Sequence, residues 1–182
     1  MKKGIKLNIS SWRRPAPNTI PWDTKAAGLY MICTLSKHEA EAQGFTASMM
    51  LDHEGNIAEA TGANVFFKNK KGELHTPVPD SFLDGITRKS IIEIAKNMGI
   101  DVDERPISVN ELVDSHKTGA LKEIFGTGTA VTILPINGFG FRDNKYKLEN
   151  IPSSYSNLLK KTLHEIQFGE TSNFSDWQFK VN

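Results

Sequence analysis

The sequence predicts an α/β (α+β) domain, and three observations point to it. Apolar residues recur at helical spacing in two separate stretches, first at Ile91, Ile92, Ala95 and Met98 and later at Tyr155, Leu158, Leu159, Leu163 and Ile166. Short alternating runs rich in β-branched and aromatic residues lie between and before them, bounded by glycine-containing turns. The length of 182 residues suits one domain with a substantial core and is short for two.

Each element follows from local chemistry. Residues 5 to 21 read as a short strand and an extended segment, because Pro15, Pro17 and Pro21 fix φ and remove backbone donors. A helix is expected from about Lys25 to Gln43, stopped by Gly44 in the left-handed region. Strands are expected at 47–51, 57–58, 64–68 and 73–76, with turns at 52–55 and 69–72, forming a β-meander. Thr87 opens a second helix that Gly99 closes, and residues 101–105 form a strand. Ser108 and Glu111 have capping-box spacing and start a short helix ending at Gly119. Strands at 123–125 and 131–136 precede the last helix. Phe174, Trp177 and Phe179 are expected to pack back on the body.

Composition narrows the function classes. A net charge of +1 gives no field that favours nucleic acid or an anionic membrane. The basic run Lys68-Asn69-Lys70-Lys71-Gly72 reads as a solvated hairpin turn. A single cysteine, Cys33, excludes an internal disulfide and fits a reducing compartment, so a cytoplasmic location is expected. No apolar stretch approaches the roughly 20 residues of a membrane-spanning helix. The five histidines never pair at ligand spacing, so no metal is expected.

Four segments hold side chains able to serve one phosphorylated, electron-withdrawing ligand. Lys25 stands among Ala26, Ala27 and Gly28, a context that would desolvate an amine and prepare it as nucleophile and base. Glu59 follows a short strand and precedes Thr61-Gly62, where a carboxylate can be aimed inward. Gly85-Ile86-Thr87 sits at a helix start, with N–H groups and the macrodipole directed at an anion. Gly126-Thr127-Gly128-Thr129-Ala130 follows a strand and lets backbone approach a ligand closely. Singly, each has a plainer reading: an exposed lysine, a surface acid, a cap and an ordinary loop. Tyr30, five residues beyond Lys25, would stand about 140° round a regular helix from it, so spacing alone does not join the two.

Taken in order, with Ser10-Ser11-Trp12-Arg13-Arg14-Pro15-Ala16-Pro17-Asn18-Thr19-Ile20-Pro21 leading into the lysine, these segments resemble the class IV (fold-type IV) pyridoxal-phosphate aminotransferases. The resemblance is nearest to the C-terminal large domain of a branched-chain amino-acid aminotransferase. It implies a curved β-sheet or pseudo-barrel with flanking helices, and transamination of leucine, isoleucine and valine with 2-oxoglutarate. By resemblance, Lys25 is the Schiff-base lysine, Tyr30 bonds the ring oxygen, and Glu59 keeps the pyridine nitrogen protonated. Asn64 orients the site and Leu83 packs near the ring. Gly85, Ile86, Thr87, Gly128 and Thr129 surround the phosphate, and the Thr129 and Ala130 amides face the substrate carboxylate. Leu29 departs from the family, which often has a polar residue before that tyrosine.

The resemblance also implies a homo-oligomer and a separate N-terminal small domain, which nothing here matches. Residues 1–20 would be a strand and extended segment on the interdomain side, and residues 21–182 the cofactor-binding large domain. Two other readings stay open: a different class IV enzyme, such as a D-amino-acid aminotransferase or an aminodeoxychorismate lyase, and a non-catalytic cofactor-binding or assembly module.

Overall fold

A computed structural model describes residues 4–149 and 154–179 of the chain. Among the described residues nine strands form one mixed sheet: β1 Ile5–Arg13, β2 Ala47–Leu51, β3 Ile57–Ala60, β4 Asn64–Asn69, β5 Leu74–Thr76, β6 Val102–Glu104, β7 Leu121–Gly128, β8 Thr132–Phe141 and β9 Asn144–Lys147. The helices are α1 Met31–Ala42, α2 Ile86–Asn97, α3 Val109–Lys117 and α4 Tyr155–Gln167. The strands run in the order β3-β2-β1-β8-β7-β4-β5-β6, with β9 on β8.

The sheet curls until its β3 edge returns toward β4. Ala60 at the end of β3 and Ala63 just before β4 bridge across the tight turn that joins the two strands, which holds the β3 edge beside the start of β4 in a half-barrel. This corrects the expected meander. β2 pairs β3 and β4 pairs β5, but β4 pairs β7 on its other edge, so β1, β8 and β7 separate the two hairpins. β1 runs parallel to both neighbours, with Leu7 opposite Ala47 on β2 and Phe139 on β8.

Two apolar layers pack the two faces. Leu7, Met49, Val65, Ile124 and Phe139 fill the first, together with Leu112 and Val113 of α3. Phe66, Phe125 and Ile133 of the sheet meet Ile91, Ile94 and Ala95 of α2 and Leu159, Leu163 and Ile166 of α4 in the second. The rings of Phe66 and Phe125 stack at 5.1 Å between centroids. Phe174 packs against this layer, whereas Phe179 is 91% exposed, so the expectation that the C-terminal aromatics fold back fails for Phe179.

The helix ends follow their caps. Ser108 Oγ accepts from Glu111 N at 3.1 Å, as the capping-box spacing implies. Gly99 closes α2 at φ 74°, with Ile100 N donating to Ala95 O. The start of α4 is held from outside the helix: Glu123 of β7 accepts Tyr155 N at 2.8 Å and Ser156 N at 2.9 Å. Charge-assisted bonds of this kind are the strong ones. Glu123→Ala is expected to cost about 2–3 kcal/mol by leaving two N–H groups unpaired, and Glu123→Gln less. Urea unfolding of the two variants measures the difference.

The helix expected from Lys25 begins six residues later than its predicted start. Thr24 turns back on Pro21, with Oγ1 donating to Pro21 O at 2.8 Å, and a short 3-10 turn over Ala27–Leu29 follows. α1 then runs Met31–Ala42. The segment expected as a loop at 126–130 is also redrawn: Gly126, Thr127 and Gly128 lie in β7, and only residues 129–131 turn.

Candidate active site

The curl of the sheet brings the β3–β4 connection, the loop before α1, the start of α2 and the β7–β8 turn to one end of the half-barrel. They enclose a cleft of about 460 Å³. Lys25, Tyr30, Glu59, Asn64, Leu83, Gly85, Ile86, Thr87, Gly128, Thr129 and Ala130 all line it. Residues far apart in sequence therefore share one cavity. A larger cavity of about 660 Å³ adjoins it and shares Ile86, Thr87, Gly128 and Thr129.

Glu59 is the buried acid of the cleft. It sits on β3 opposite Met50 of β2, and its side chain is 12% exposed. Burial pushes its carboxyl up to about 7, and the Arg14 guanidinium pulls it only part of the way back. Although Arg14 Nε lies 3.5 Å from Glu59 Oε1, the loss of water outweighs the ion pair.

Arg14 is the functional residue that sequence reasoning missed. It is 5% exposed, and its fork is spent on the protein: Nε donates to Ser81 O at 3.1 Å and Nη1 to Leu29 O at 2.9 Å. Nη1 also lies 3.4 Å from Cys33 Sγ. One side chain thus braces Glu59, the turn before Tyr30 and the loop before α2. The only signal in the sequence is its place before Pro15, which keeps its backbone extended and does not reveal burial.

Lys25 faces the cleft from an exposed loop, so the desolvated helical setting expected for it is not what these residues provide. The turns at Pro21–Thr24 and Ala27–Leu29 take the backbone bonds that would have built a helix. Tyr30, 37% exposed, lies on the same wall. Its hydroxyl is raised first by burial and then by the Glu59 charge nearby, with Arg14 opposing.

The part of the cleft formed by the start of α2 is rich in donors. Gly85 caps α2 in extended conformation with no side-chain cap, and the first intrahelical bond runs from Lys89 N to Gly85 O. The N–H groups of Ile86, Thr87 and Arg88 come before it, at the positive end of the helix. Asn64 fixes the approach, its Nδ2 donating to Leu83 O at 3.0 Å. A Cβ at Gly85 would meet Asn64 Oδ1, so a side chain there would displace the amide that bonds Leu83 O. Across the cleft the β7–β8 turn ends on Thr132 at φ 59°, a left-handed conformation that costs a β-branched residue strain.

These groups fit a ligand that carries an anion at one end and a basic ring atom at the other. The uncapped helix and the Thr87 and Thr129 hydroxyls suit the anion. A carboxyl held near neutrality suits a ring nitrogen. One buried hydroxyl of the cleft wall, Thr127 Oγ1, has no hydrogen-bond partner. Among the described residues no group of His, Cys, Asp and Glu could hold a metal ion, and no described helix is long and apolar enough to cross a membrane.

Comparison with known proteins gives a consistent answer. Residues 1–139 match the pattern of the family described as amino-transferase class IV. A probable branched-chain-amino-acid aminotransferase of Rickettsia bellii is 42% identical over 142 residues, covering 78% of this chain and 47% of the relative. The branched-chain-amino-acid aminotransferase of Escherichia coli is 35% identical over 183 residues, covering the whole chain and 56% of the relative. The chain spans about half the length of the curated relatives it matches. A crystal structure of the Escherichia coli branched-chain amino acid aminotransferase superposes with a TM-score of 0.85 at 34% identity, over 100% of this chain and 57% of that one. An aminotransferase from Brucella abortus bound to the co-factor PLP gives 0.79 at 32% identity, over 91% of this chain and 55% of that one. With three quarters of its sequence under the family pattern and its fold shared with these enzymes, the chain belongs to the class IV aminotransferases.

Proposed function

We propose that this chain forms the pyridoxal 5′-phosphate site of an aminotransferase acting on leucine, isoleucine and valine with 2-oxoglutarate. The observation that carries the reading is the cleft itself: Lys25, Tyr30 and Glu59 share it with the uncapped start of α2. The branched-chain substrates are supported by the relatives, which bear that activity in their names.

When bound, the cofactor supplies an electron sink for negative charge developing at the substrate α-carbon. The protein's contribution is positioning and proton transfer. Lys25 Nζ would hold the cofactor covalently and, when free, would carry the proton at the reacting carbon. Glu59 would keep the ring nitrogen protonated, with Arg14 fixing its carboxylate. Tyr30 would bond the ring oxygen, and Leu83 would pack beside the ring. Gly85, Ile86, Thr87, Gly128 and Thr129 would hold the phosphate, and the Thr129 and Ala130 amides would face the substrate carboxylate. The exposed setting of Lys25 and Tyr30 supports a further wall over them, supplied by a small N-terminal domain outside residues 21–182. Residues 1–20 would adjoin that domain. Exposed Met31 and Leu35 on α1 support a homo-oligomer, and the single free cysteine suits the cytoplasm.

The test is chemical. Incubating the chain with pyridoxal phosphate, reducing with borohydride and mapping peptides should place the pyridoxyl group on Lys25. Label on another lysine with Lys25 untouched would overturn the assignment.

A further inference from the structure

Thr127 carries a hydroxyl for which the fold has no use. The residue is 1% exposed in β7, paired across the ladder with Asn64 of β4 and Ile133 of β8. Its Oγ1 is buried without a hydrogen-bond partner. A buried hydroxyl left unpaired opposes folding. Valine has the same shape without the hydroxyl and suits a strand equally well. Packing alone therefore favours valine here, and a threonine at this place calls for a partner from outside the chain.

The surroundings say what that partner is. Thr127 lines the same cleft as Thr87 and Thr129, beside the asparagine whose amide holds the approach to α2. Of the two acids that line the cleft, Glu59 is held near neutrality by burial, and Asp84 is already engaged by Arg88 Nη1 at 2.9 Å and Lys89 Nζ at 3.2 Å. A hydroxyl added to a set of donors serves an anion by donating to it. Thr127 lines the cleft, so rotation of its O–H about the Cβ–Oγ1 bond turns the proton to an incoming oxygen without moving the strand.

We propose that Thr127 is a third hydroxyl of the anion cradle and donates to a phosphate oxygen of the ligand. The inference rests on the phosphate site described under the proposed function. Thr127→Val and Thr127→Ser in the full chain test it, with the melting temperature of the unliganded protein measured alongside dissociation constants for pyridoxal phosphate and inorganic phosphate. Thr127→Val should melt about 2–6 °C higher than the wild type, since an unpaired buried hydroxyl is removed. The same variant should bind both probes about tenfold more weakly, and Thr127→Ser should bind like the wild type. A purely structural threonine cannot give higher stability together with lower affinity. Unchanged affinity in Thr127→Val, or a lower melting temperature, would overturn the role of Thr127 alone. Failure of the wild-type chain to bind either probe would instead bring down the reading of the cleft, and this inference with it.

Discussion

Arg88→Met should remove about 3–5 kcal/mol of folding free energy, a large part of what a domain of this size possesses. Arg88 is 1% exposed, so its charge depends wholly on protein partners. Nη1 donates to Asp84 Oδ1 at 2.9 Å, and Nη2 donates to Glu104 Oε2 at 2.7 Å and to Pro77 O at 2.9 Å. Nε lies 3.4 Å from Thr76 Oγ1, which itself donates to Val65 O. One guanidinium thereby joins β5, β6, the loop before α2 and the first turn of α2. Methionine fills the volume but leaves Pro77 O unpaired and Glu104 without its cation, with only Lys89 left on Asp84. Lysine does little better, because a single ammonium cannot reproduce the fork. Thermal unfolding reads the loss as a fall of roughly 6–20 °C for a chain of this length. A fall of only a degree or two would show that the network is dispensable.

Glu59→Gln should move stability and chemistry in opposite directions. The folded carboxyl, near 7, lies above its unfolded value of about 4.3. Between these two values the folded chain keeps a proton that the unfolded chain releases, so stability falls as pH rises through this window. Below it there is no penalty, and above it the penalty is complete at up to about 4 kcal/mol, since each pH unit across the window costs about 1.4 kcal/mol. Glutamine does not ionise, and Arg14 keeps its bonds to Ser81 O and Leu29 O. The variant should therefore gain on the wild type in urea unfolding at pH 8 and match it near pH 4. On the proposed reading, glutamine would no longer keep the ring nitrogen protonated, and the proton-abstraction step in the assembled enzyme should slow by about one to two decades, or 1.5–3 kcal/mol. Cofactor retention should change much less. An unchanged single-turnover rate would take Glu59 out of the reaction.

What was legible in the sequence was local. The capping serine of α3, the glycine that ends α2 and most of the apolar stripes of α2 and α4 depend on neighbours within one or two turns and lie where they were expected, whereas Met98 and Leu158, expected in those stripes, are exposed. Long-range pairing was not legible. The meander failed because β4 found its second partner in β7, and nothing within residues 57–69 encodes that choice. β8 was expected to stop at 136, yet it runs to Phe141 through Gly138 and Gly140. Glycine is a poor strand former, but a Cβ at Gly138 would strike Tyr146 O of β9, and one at Gly140 the Phe45 ring. Those contacts are tertiary, so propensity was overruled. The cleft residues were found because the order of four segments carries information that single motifs lack. Arg14 and Arg88 escaped because a buried arginine and a surface one are written with the same letter.

The position of β1 between β2 and β8 has a consequence for synthesis. β1 emerges from the ribosome before the other eight strands, and its β2 edge can pair early, but its other edge must wait until Phe139 and its neighbours on β8 have emerged. Contacts so distant in sequence demand chain closure before they return any energy, which makes them late and slow. Throughout that interval Leu7 and Ile9 flank a row of open N–H and C=O groups, the form of edge that recruits a strand from another nascent chain. The yield of folded protein is then set by a race between completing β8 and meeting a neighbour, and slower synthesis at lower crowding favours the intramolecular partner.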